Sequence, residues 1–327
     1  MLTPKVTLLL VTKDCQEKIS KSLNSYKNLD FDLTTVELIF IDGCSKDSTL
    51  SIIEDFKKEY IDLFHSIRVI QNKKVFLASG WNLGIKASRA DFVLRIDAHS
   101  QIAPNYLSLA YDYLAKNNNI QAVGGVLVSQ SDSSGNTGIA KLVSSKFGTG
   151  GSPFRGVKAT DVFSSDTAVF ALYRRSLFSK VGYFNEDLDR GQDIEFHSRV
   201  IKHEFKLVTN PLMRITHFPE TRFWPFHKKA MSTSYWALRG GKARLRHLIP
   251  MLFVLYILFF LFALAFLNTS SAIIGLPLYL YVFVLVYFSI KDRLYLKGYL
   301  FLTYHLVYGF GSIKALPAFF RDKLWKS

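Results

Sequence analysis

Val36-Glu-Leu-Ile-Phe-Ile-Asp42-Gly-Cys-Ser-Lys-Asp-Ser-Thr49 is an apolar, β-branched run that stops on a carboxylate and passes through small polar residues into a helical pattern. A run this short and apolar reads as a strand buried on both faces, here Glu37 to Ile41, followed by a turn. The same pattern occurs on either side of it. Val6 to Val11, Ile67 to Ile70 and Phe92 to Ile96 read as further buried strands, and Ile19, Leu23 and Tyr26, then Leu50, Ile53 and Tyr60, fall on helix faces between them. A βαβαβ chain of this kind makes an α/β fold with a mostly parallel sheet and right-handed crossovers, whose ligands bind at the carboxyl ends of the strands. The polar residues to examine are therefore Thr12, Lys13 and Asp14, then Asp42 and Gly43, Asn72 and Lys73, and Asp97, Ala98 and His99.

The chain has 327 residues, 49% of them hydrophobic, with 41 Lys+Arg against 26 Asp+Glu. That excludes disorder, collagen and a small disulfide scaffold, and the length allows two folding units. Residues 221–327 hold 14 Lys/Arg and only two acids, Asp292 and Asp322, so the basic character belongs to the tail. Leu248 to Leu267 and Ala272 to Ile290 are uncharged runs long enough to cross a bilayer as helices. The link Asn268-Thr-Ser-Ser271 is uncharged. Lys228, Lys229, Arg239, Lys242, Arg244 and Arg246 precede the first run and Lys291, Arg293 and Lys297 follow the second, which puts the bulk of the protein on the cytoplasmic side. Gly298 to Ile313, followed by Arg321, Lys323 and Lys326, reads as a re-entrant or interfacial helix. Val6 to Val11 is too short for a signal-peptide core, so the N-terminal domain is expected in the cytosol, where Cys15 and Cys44 stay free thiols.

From Ser129 to Thr160, 16 of 32 residues are Ser, Gly or Thr, and Phe147-Gly-Thr-Gly-Gly-Ser-Pro-Phe-Arg155 reads as a mobile loop carrying one cation. Regular structure is expected to resume at Val162 to Arg174. No P-loop lysine motif, GxGxxG, GxSxG or HExxH is present, which removes the obvious NTPase, dinucleotide, esterase and zinc-protease readings.

Two acidic features remain. Arg95-Ile-Asp97-Ala-His99 ends an apolar strand and is expected to hold a carboxylate and an imidazole on one side of an extended chain, as a divalent cation needs. Gly182-Tyr-Phe-Asn-Glu-Asp-Leu-Asp-Arg-Gly-Gln-Asp193-Ile-Glu195 is an acidic turn entering a helix. Glu186, Asp187 and Asp189 there suit helix capping, whereas Asp193 and Glu195 lie beside apolar residues, a setting for a general base.

Lys5 to Val11, Val36 to Thr49, Trp81-Asn-Leu-Gly-Ile85, Arg95 to Ser100 and Tyr173 to Glu186 together resemble family 2 glycosyltransferases of the GT-A fold. The resemblance runs over about residues 5–236 and is closest to membrane-attached bacterial exopolysaccharide enzymes of the succinoglycan-biosynthesis type. It implies donor-binding roles for Asp42, Asp97, Thr12, Asp14, Asn82 and Arg155, and a catalytic-base role for Asp193. It further implies a divalent metal, Mn2+ or Mg2+, on Asp97, His99 and His217, and acceptor or phosphate contacts from Arg222 and Glu195. Gly43 stands where many members have a second Asp, His99 replaces the last Asp of Asp-x-Asp, and Gln192 replaces the Glu before Asp193. Processive synthases of the same family carry Gln-x-x-Arg-Trp near the acceptor channel. Phe223-Trp-Pro-Phe226 and Tyr235-Trp236 contain no such motif, which favours one sugar per acceptor.

The expectation is an inverting transfer from a nucleotide-sugar donor, a UDP-hexose, to a polyprenyl-diphosphate-linked saccharide in exopolysaccharide or capsule biosynthesis. The expected organisation is a catalytic domain at 1–220, a basic interfacial segment at 221–247 and a membrane region at 248–327. A polyprenyl-phosphate glycosyltransferase and a catalytically silent membrane scaffold are the alternatives. Nucleic acid is not an expected partner, because the cations flank apolar spans and suit anionic membrane lipids at ~1 kcal/mol each.

Overall fold

The computed structural model describes residues 3–130, 137–150, 154–155, 157, 160–239, 245–266 and 271–324. Residues 268–270 of the link between the apolar runs, the cations Lys242, Arg244 and Lys326, and Gly151 to Pro153 lie outside them. The chain divides into two compact units, Met1–Val128 with Pro153–Phe218, and Ser129–Ser152 with Pro219–Ser327.

In the first unit the expected alternation appears as β1 (Val6–Thr12), α1 (Gln16–Lys27), β2 (Val36–Asp42), α2 (Thr49–Tyr60), β3 (Ser66–Gln71), α3 (Leu77–Ala87) and β4 (Phe92–Asp97). The chain continues through β5 (Ser100–Ile102), α4 (Tyr106–Lys116) and β6 (Ile120–Ser129). α5 (Thr137–Ser144) and α6 (Lys146–Thr149) come next, and the unit resumes with β7 (Phe163–Ser164), β8 (Val169–Arg174), α7 (Ser176–Val181), α8 (Gln192–Lys202) and β9 (Lys206–His217). Among the described residues nine strands form one sheet in the order β3-β2-β1-β4-β8-β6-β9-β5, with β7 on β9. β3, β2, β1 and β4 run parallel, and β8 joins β4 antiparallel, so the sheet is mixed.

Both faces are covered. Val6, Leu8, Leu10, Leu38, Phe40, Leu94 and Ile96 pack under α1, α2 and α4 through Ile19, Leu23, Tyr26, Ile53, Phe56 and Tyr106. Leu9, Ile39, Ile41 and Val93 pack under α3, α7 and α8 through Trp81, Ile85, Phe178 and Phe196. This is why the strands read as continuous apolar runs rather than alternating ones. On α2 the buried aromatic is Phe56, while Leu50 faces outward. At Gly125 the backbone of Met213 and the ring of Tyr106 come so close that a Cβ would collide, and β6 shifts register there against β8.

The second unit holds α5 and α6 with α9 (Phe223–Arg239), α10 (Leu245–Phe266), α11 (Ser271–Lys291) and α12 (Tyr299–Leu324). α12 packs along α9 and α10. The loop expected from Phe147 to Arg155 is in its first part a capped helical turn. The Ser145 hydroxyl accepts from the Phe147 and Gly148 amides, and the Phe147 ring lies against Phe288, Phe301 and His305 at 5.0, 5.1 and 4.8 Å between centroids. His305 Nε2 bonds the Phe147 carbonyl at 2.9 Å. Composition hides this because Gly148 supplies close packing: its backbone lies against the Leu142 carbonyl. The third tail segment is also longer than expected, with helix running on past Ile313 to Leu324. Among the described residues, two helices are long and apolar enough to cross a membrane, His247–Phe266 and Ile273–Lys291. Only 17% and 11% of their apolar windows are buried in the protein.

Candidate active site

The carboxyl ends of the parallel strands lie side by side, with Thr12 opposite Asp42, Asp42 opposite Gln71, and Val11 opposite Asp97. After β1 the chain adds β2 and β3 on one side and then crosses to place β4 on the other. The switch point, where a ligand crevice opens in such sheets, is therefore at Thr12 and Asp97.

Three of the predicted donor residues meet there. Asp42, buried, accepts the Ser45 hydroxyl at 2.6 Å, the Ser45 amide at 2.9 Å and the Thr12 hydroxyl at 3.3 Å. Asp14 accepts the Lys46 amide at 2.8 Å and gives its own amide to Ser45 Oγ at 3.0 Å. Asp14, Cys44 and Val75, on the loops after β1, β2 and β3, all have positive φ, at 44°, 58° and 68°. Left-handed backbone is uncommon outside glycine and is costly at the β-branched Val75, so these three adjacent loops are held in conformations that local preference alone does not favour.

At β4 the geometry differs from the sequence expectation. The strand ends on Asp97, and Ala98 and His99 form a turn, so carboxylate and imidazole do not project along one extended chain. The buried Ser22 hydroxyl pins that turn, sharing its proton between the carbonyls of Ala98 at 2.8 Å and Ser100 at 2.7 Å. β5 then pairs with β9, setting Ser100 opposite His217, and the rings of His99 and His217 approach edge to face at 5.3 Å. Two of the three predicted metal ligands are thus brought together. Among the described residues no group of three or more His, Cys, Asp or Glu side chains is placed to hold a metal ion, so Asp97 does not join the two imidazoles in a three-ligand site here. Two imidazoles beside the strand that ends in a carboxylate are nitrogen and oxygen donors of the kind a divalent ion takes, with its other positions left to phosphate or water oxygens.

The second wall is the start of α8. Gly191 caps the helix in the left-handed conformation at φ 76°, Asp193 and Glu195 occupy its first turn, and Arg199 and Lys202 its last, all complementary to the helix dipole. Asp193 Oδ1 accepts the Ile194 amide at 2.9 Å, and Oδ2 lies 3.9 Å from Arg95 Nη2, with the side chain 27% exposed. The Arg95 guanidinium stacks on Trp81 at 3.9 Å from the ring centroid. Behind them His197 is buried, bonds the Tyr173 hydroxyl at 2.8 Å, and is pulled down to about 4 by burial, so its ring is neutral. Asp193, Arg95 and Asp166 are the charges it senses.

Three predicted contacts have other work in this fold. Asn82 spends both N–H groups on the Phe184 carbonyl and Glu186 Oε1, each at 2.9 Å, and accepts the Phe184 amide, so it braces α3 to the acidic turn. Glu195 forms a two-point ion pair with Arg199 at 2.7 and 2.9 Å. Arg222 does the same with Glu220 at 2.9 and 3.0 Å. A short i, i+4 or i, i+2 pair satisfies each charge locally, which spacing in the sequence already permitted. Arg155 bridges to Leu127 and is half-buried.

Glu186, expected as a helix cap, instead pairs with Lys74 at 2.8 Å while Gly191 caps α8, and neither Arg95 nor Asp166 has a role in the sequence reading. Arg95 carries a signal that was available: it is a lone cation in an otherwise apolar strand. A cavity of about 570 Å³ lined by Lys86, Asp91, Arg174 and Arg175 opens at the other end of β4, away from Asp97.

A curated relative from Methanococcus voltae, a dolichyl N-acetyl-alpha-D-glucosaminyl phosphate 3-beta-D-2,3-diacetamido-2,3-dideoxy-beta-D-glucuronosyltransferase, is 27% identical over 323 residues, 95% of this chain and 97% of its own length. A poly-beta-1,6-N-acetyl-D-glucosamine synthase from Staphylococcus epidermidis is 27% identical over 56% of this chain and 42% of its length, so the chain spans less than half of that relative. A mannosyltransferase from Pyrobaculum calidifontis, solved with GDP-Man and Mn2+, shares the fold with a TM-score of 0.70 at 16% identity, over 97% of this chain and 88% of that one. The model of glycosyl transferase family 2 matches residues 7–182 of the 327, from β1 through α7, with Asp42 and Asp97 inside the match and Asp193 and His217 beyond it. The chain belongs to that family and is a glycosyltransferase.

Proposed function

We propose that the chain transfers a sugar from a nucleotide-sugar donor to a lipid-linked saccharide, with inversion, at the cytoplasmic face of a membrane. The observation that carries this reading is the convergence of Asp97 and Asp193 on one end of β4, the first at the strand terminus and the second facing Arg95 two residues earlier. In the reaction Asp193 takes the acceptor hydroxyl proton, the oxygen bonds to the anomeric carbon, and the bond from that carbon to the diphosphate breaks, releasing the nucleoside diphosphate. Asp42, Thr12 and Asp14 would hold the nucleoside end. Asp97, His99 and His217 would hold a divalent ion, which supplies charge neutralisation on the leaving diphosphate.

The lipid-linked acceptor is supported by the methanogen relative, named for a dolichyl-phosphate-linked sugar, and by the two outward-facing apolar helices. We read residues 1–220 as the catalytic domain, 221–247 as a basic segment at anionic lipid headgroups and 248–327 as the membrane region, in exopolysaccharide or capsule assembly. The test is nucleotide release with UDP-Glc, UDP-Gal, UDP-GlcNAc and GDP-Man, with a UDP-uronate added because of that relative, each with Mn2+ or Mg2+ and a polyprenyl-diphosphate sugar. Acceptor-dependent release with one donor supports the reading. Release that needs only polyprenyl phosphate transfers the assignment to a polyprenyl-phosphate glycosyltransferase, and no release with any donor leaves a silent scaffold.

A further inference from the structure

Arg95 is an exception on its strand. Val93, Arg95 and Asp97 alternate onto the sheet face covered by the apolar cluster of Trp81, Phe178 and Phe196, and Arg95 is 5% exposed. Its Nε and Nη1 have no hydrogen-bond partner among the described residues. Its only ion-pair contact there is Asp193, at 3.9 Å, and the rest of its environment is aromatic, Trp81 at 3.9 Å and Phe184 at 5.8 Å. A buried cation with unmet donors is a poor stabiliser, since an apolar residue of similar volume removes the desolvation penalty. Stability therefore does not account for it.

Arg95 has a fixed relation to one group that the transfer needs. Its guanidinium carbon lies over Trp81, 3.9 Å from the ring centroid, and the attraction of a cation to the indole face restrains it there. Trp81 is itself locked against Phe184 at 5.0 Å. The Asp193 carboxylate is then held at both oxygens, Oδ1 by the amide of its own helix and Oδ2 by the charge of Arg95, while its exposed edge faces outward. His197, another basic group at this place, is buried and neutral, and its Nε2 bonds Tyr173.

We propose that Arg95, clamped on Trp81, is a positioning residue that sets the orientation of the Asp193 carboxylate for the transfer step. This rests on the reading of Asp193 as the base. It predicts a defect in turnover rather than in donor affinity, and one that disappears once Asp193 no longer carries a carboxylate.

The experiment is a double-mutant cycle on the full-length protein in detergent, with Arg95→Met and Arg95→Lys, each alone and with Asp193→Asn. Turnover, donor KM and melting temperature are read for every variant. Arg95→Met is expected to lower kcat about tenfold with donor KM within about twofold, and to change kcat by less than about twofold in the Asp193→Asn background, the non-additivity of groups that act together. Arg95→Lys keeps a charge in a similar volume, is expected to fold even if Arg95→Met does not, and should recover part of the turnover. Full additivity with Asp193→Asn, a loss confined to donor KM, or unchanged kcat in Arg95→Lys and Arg95→Met overturns the proposal alone. Normal turnover in Asp193→Asn itself overturns the base reading, and this inference with it.

Discussion

His99 and His217 meet edge to face with their ring centroids 5.3 Å apart, one in the turn after β4 and the other at the end of β9. The β5–β9 pairing alone creates this neighbourhood, and it supplies two imidazoles beside the strand that ends in Asp97. If these groups hold the ion on the donor diphosphate, Asp97→Ala abolishes Mn2+-dependent nucleotide binding in calorimetry. His217→Ala raises the Mn2+ needed for half-saturation by at least the ~10-fold that losing even an outer-shell partner costs. Wild-type activity that survives EDTA contradicts the assignment.

Asp193→Asn tests the base directly. The amide keeps the shape and the Ile194 contact but cannot take the acceptor proton, so turnover should fall by ~10² or more while donor binding is nearly unchanged, the usual contribution of a positioned base. The measurement is kcat alongside nucleotide affinity, and turnover at the wild-type level removes Asp193 from the mechanism.

The parallel half of the sheet was legible because strands buried on both faces leave unbroken apolar runs, and because those runs stop on Asp42 and Asp97 at the edge where ligands bind. The partnership of His99 with His217 was not, since it depends on antiparallel pairing between distant segments and on a turn that local spacing does not reveal. Asn82, Glu195 and Arg222 show a different limit: a polar side chain in a motif has the same letter whatever it pairs with, here Phe184 and Glu186, Arg199, and Glu220. The turn at Phe147 was hidden by composition, for glycines and serines that read as loop also let a helix end pack closely.

Glu37 is a carboxylate with no solvent exposure, accepting the Thr7 hydroxyl at 2.5 Å, the Arg89 amide at 2.6 Å and Arg68 Nη2 at 2.8 Å. It sews β1, β2 and β3 to the chain entering β4. Glu37→Ala should cost about 3–5 kcal/mol, toward the lower end because Arg68 is partly solvated, since breaking a buried pair leaves an uncompensated charge. Glu37→Gln, which keeps the acceptor oxygen, should cost less. Chemical denaturation of both variants gives the order, and equal stability of Glu37→Ala and wild type refutes it.

Glu186 is held below the ordinary glutamate value, first by the hydrogen bond from Lys74 and then by that from Asn82. A depressed folded-state value means that the pair's contribution is complete above the unfolded glutamate value and is lost as pH falls through the lower folded one. Lys74→Met removes the main cause, so the melting temperature of that variant should lie below wild type near neutrality and converge with it in acid. Parallel pH curves for the two proteins would show that the Lys74 bond does not set the Glu186 titration.

The two apolar helices make a prediction about sidedness. Their windows are 17% and 11% buried in the protein, leaving Leu255, Leu258, Phe262, Leu280 and Phe283 facing outward, an apolar surface that water does not tolerate at this size. Lys228, Lys229 and Arg239 precede the first helix and Lys291, Arg293 and Lys297 follow the second, so both flanks are expected on the cytoplasmic side with the chain reversing outside. With Cys15 and Cys44 replaced by Ser, a membrane-impermeant maleimide applied to intact cells should label Ile273→Cys, at the start of α11, and leave Lys58→Cys, on α2, unlabelled until the cells are opened. The orientation matters for chemistry, because nucleotide sugars are made in the cytosol and the strand-end crevice must face them. Labelling of Lys58→Cys from outside would separate Asp97 and Asp193 from any such donor, and the proposed transfer would have no substrate.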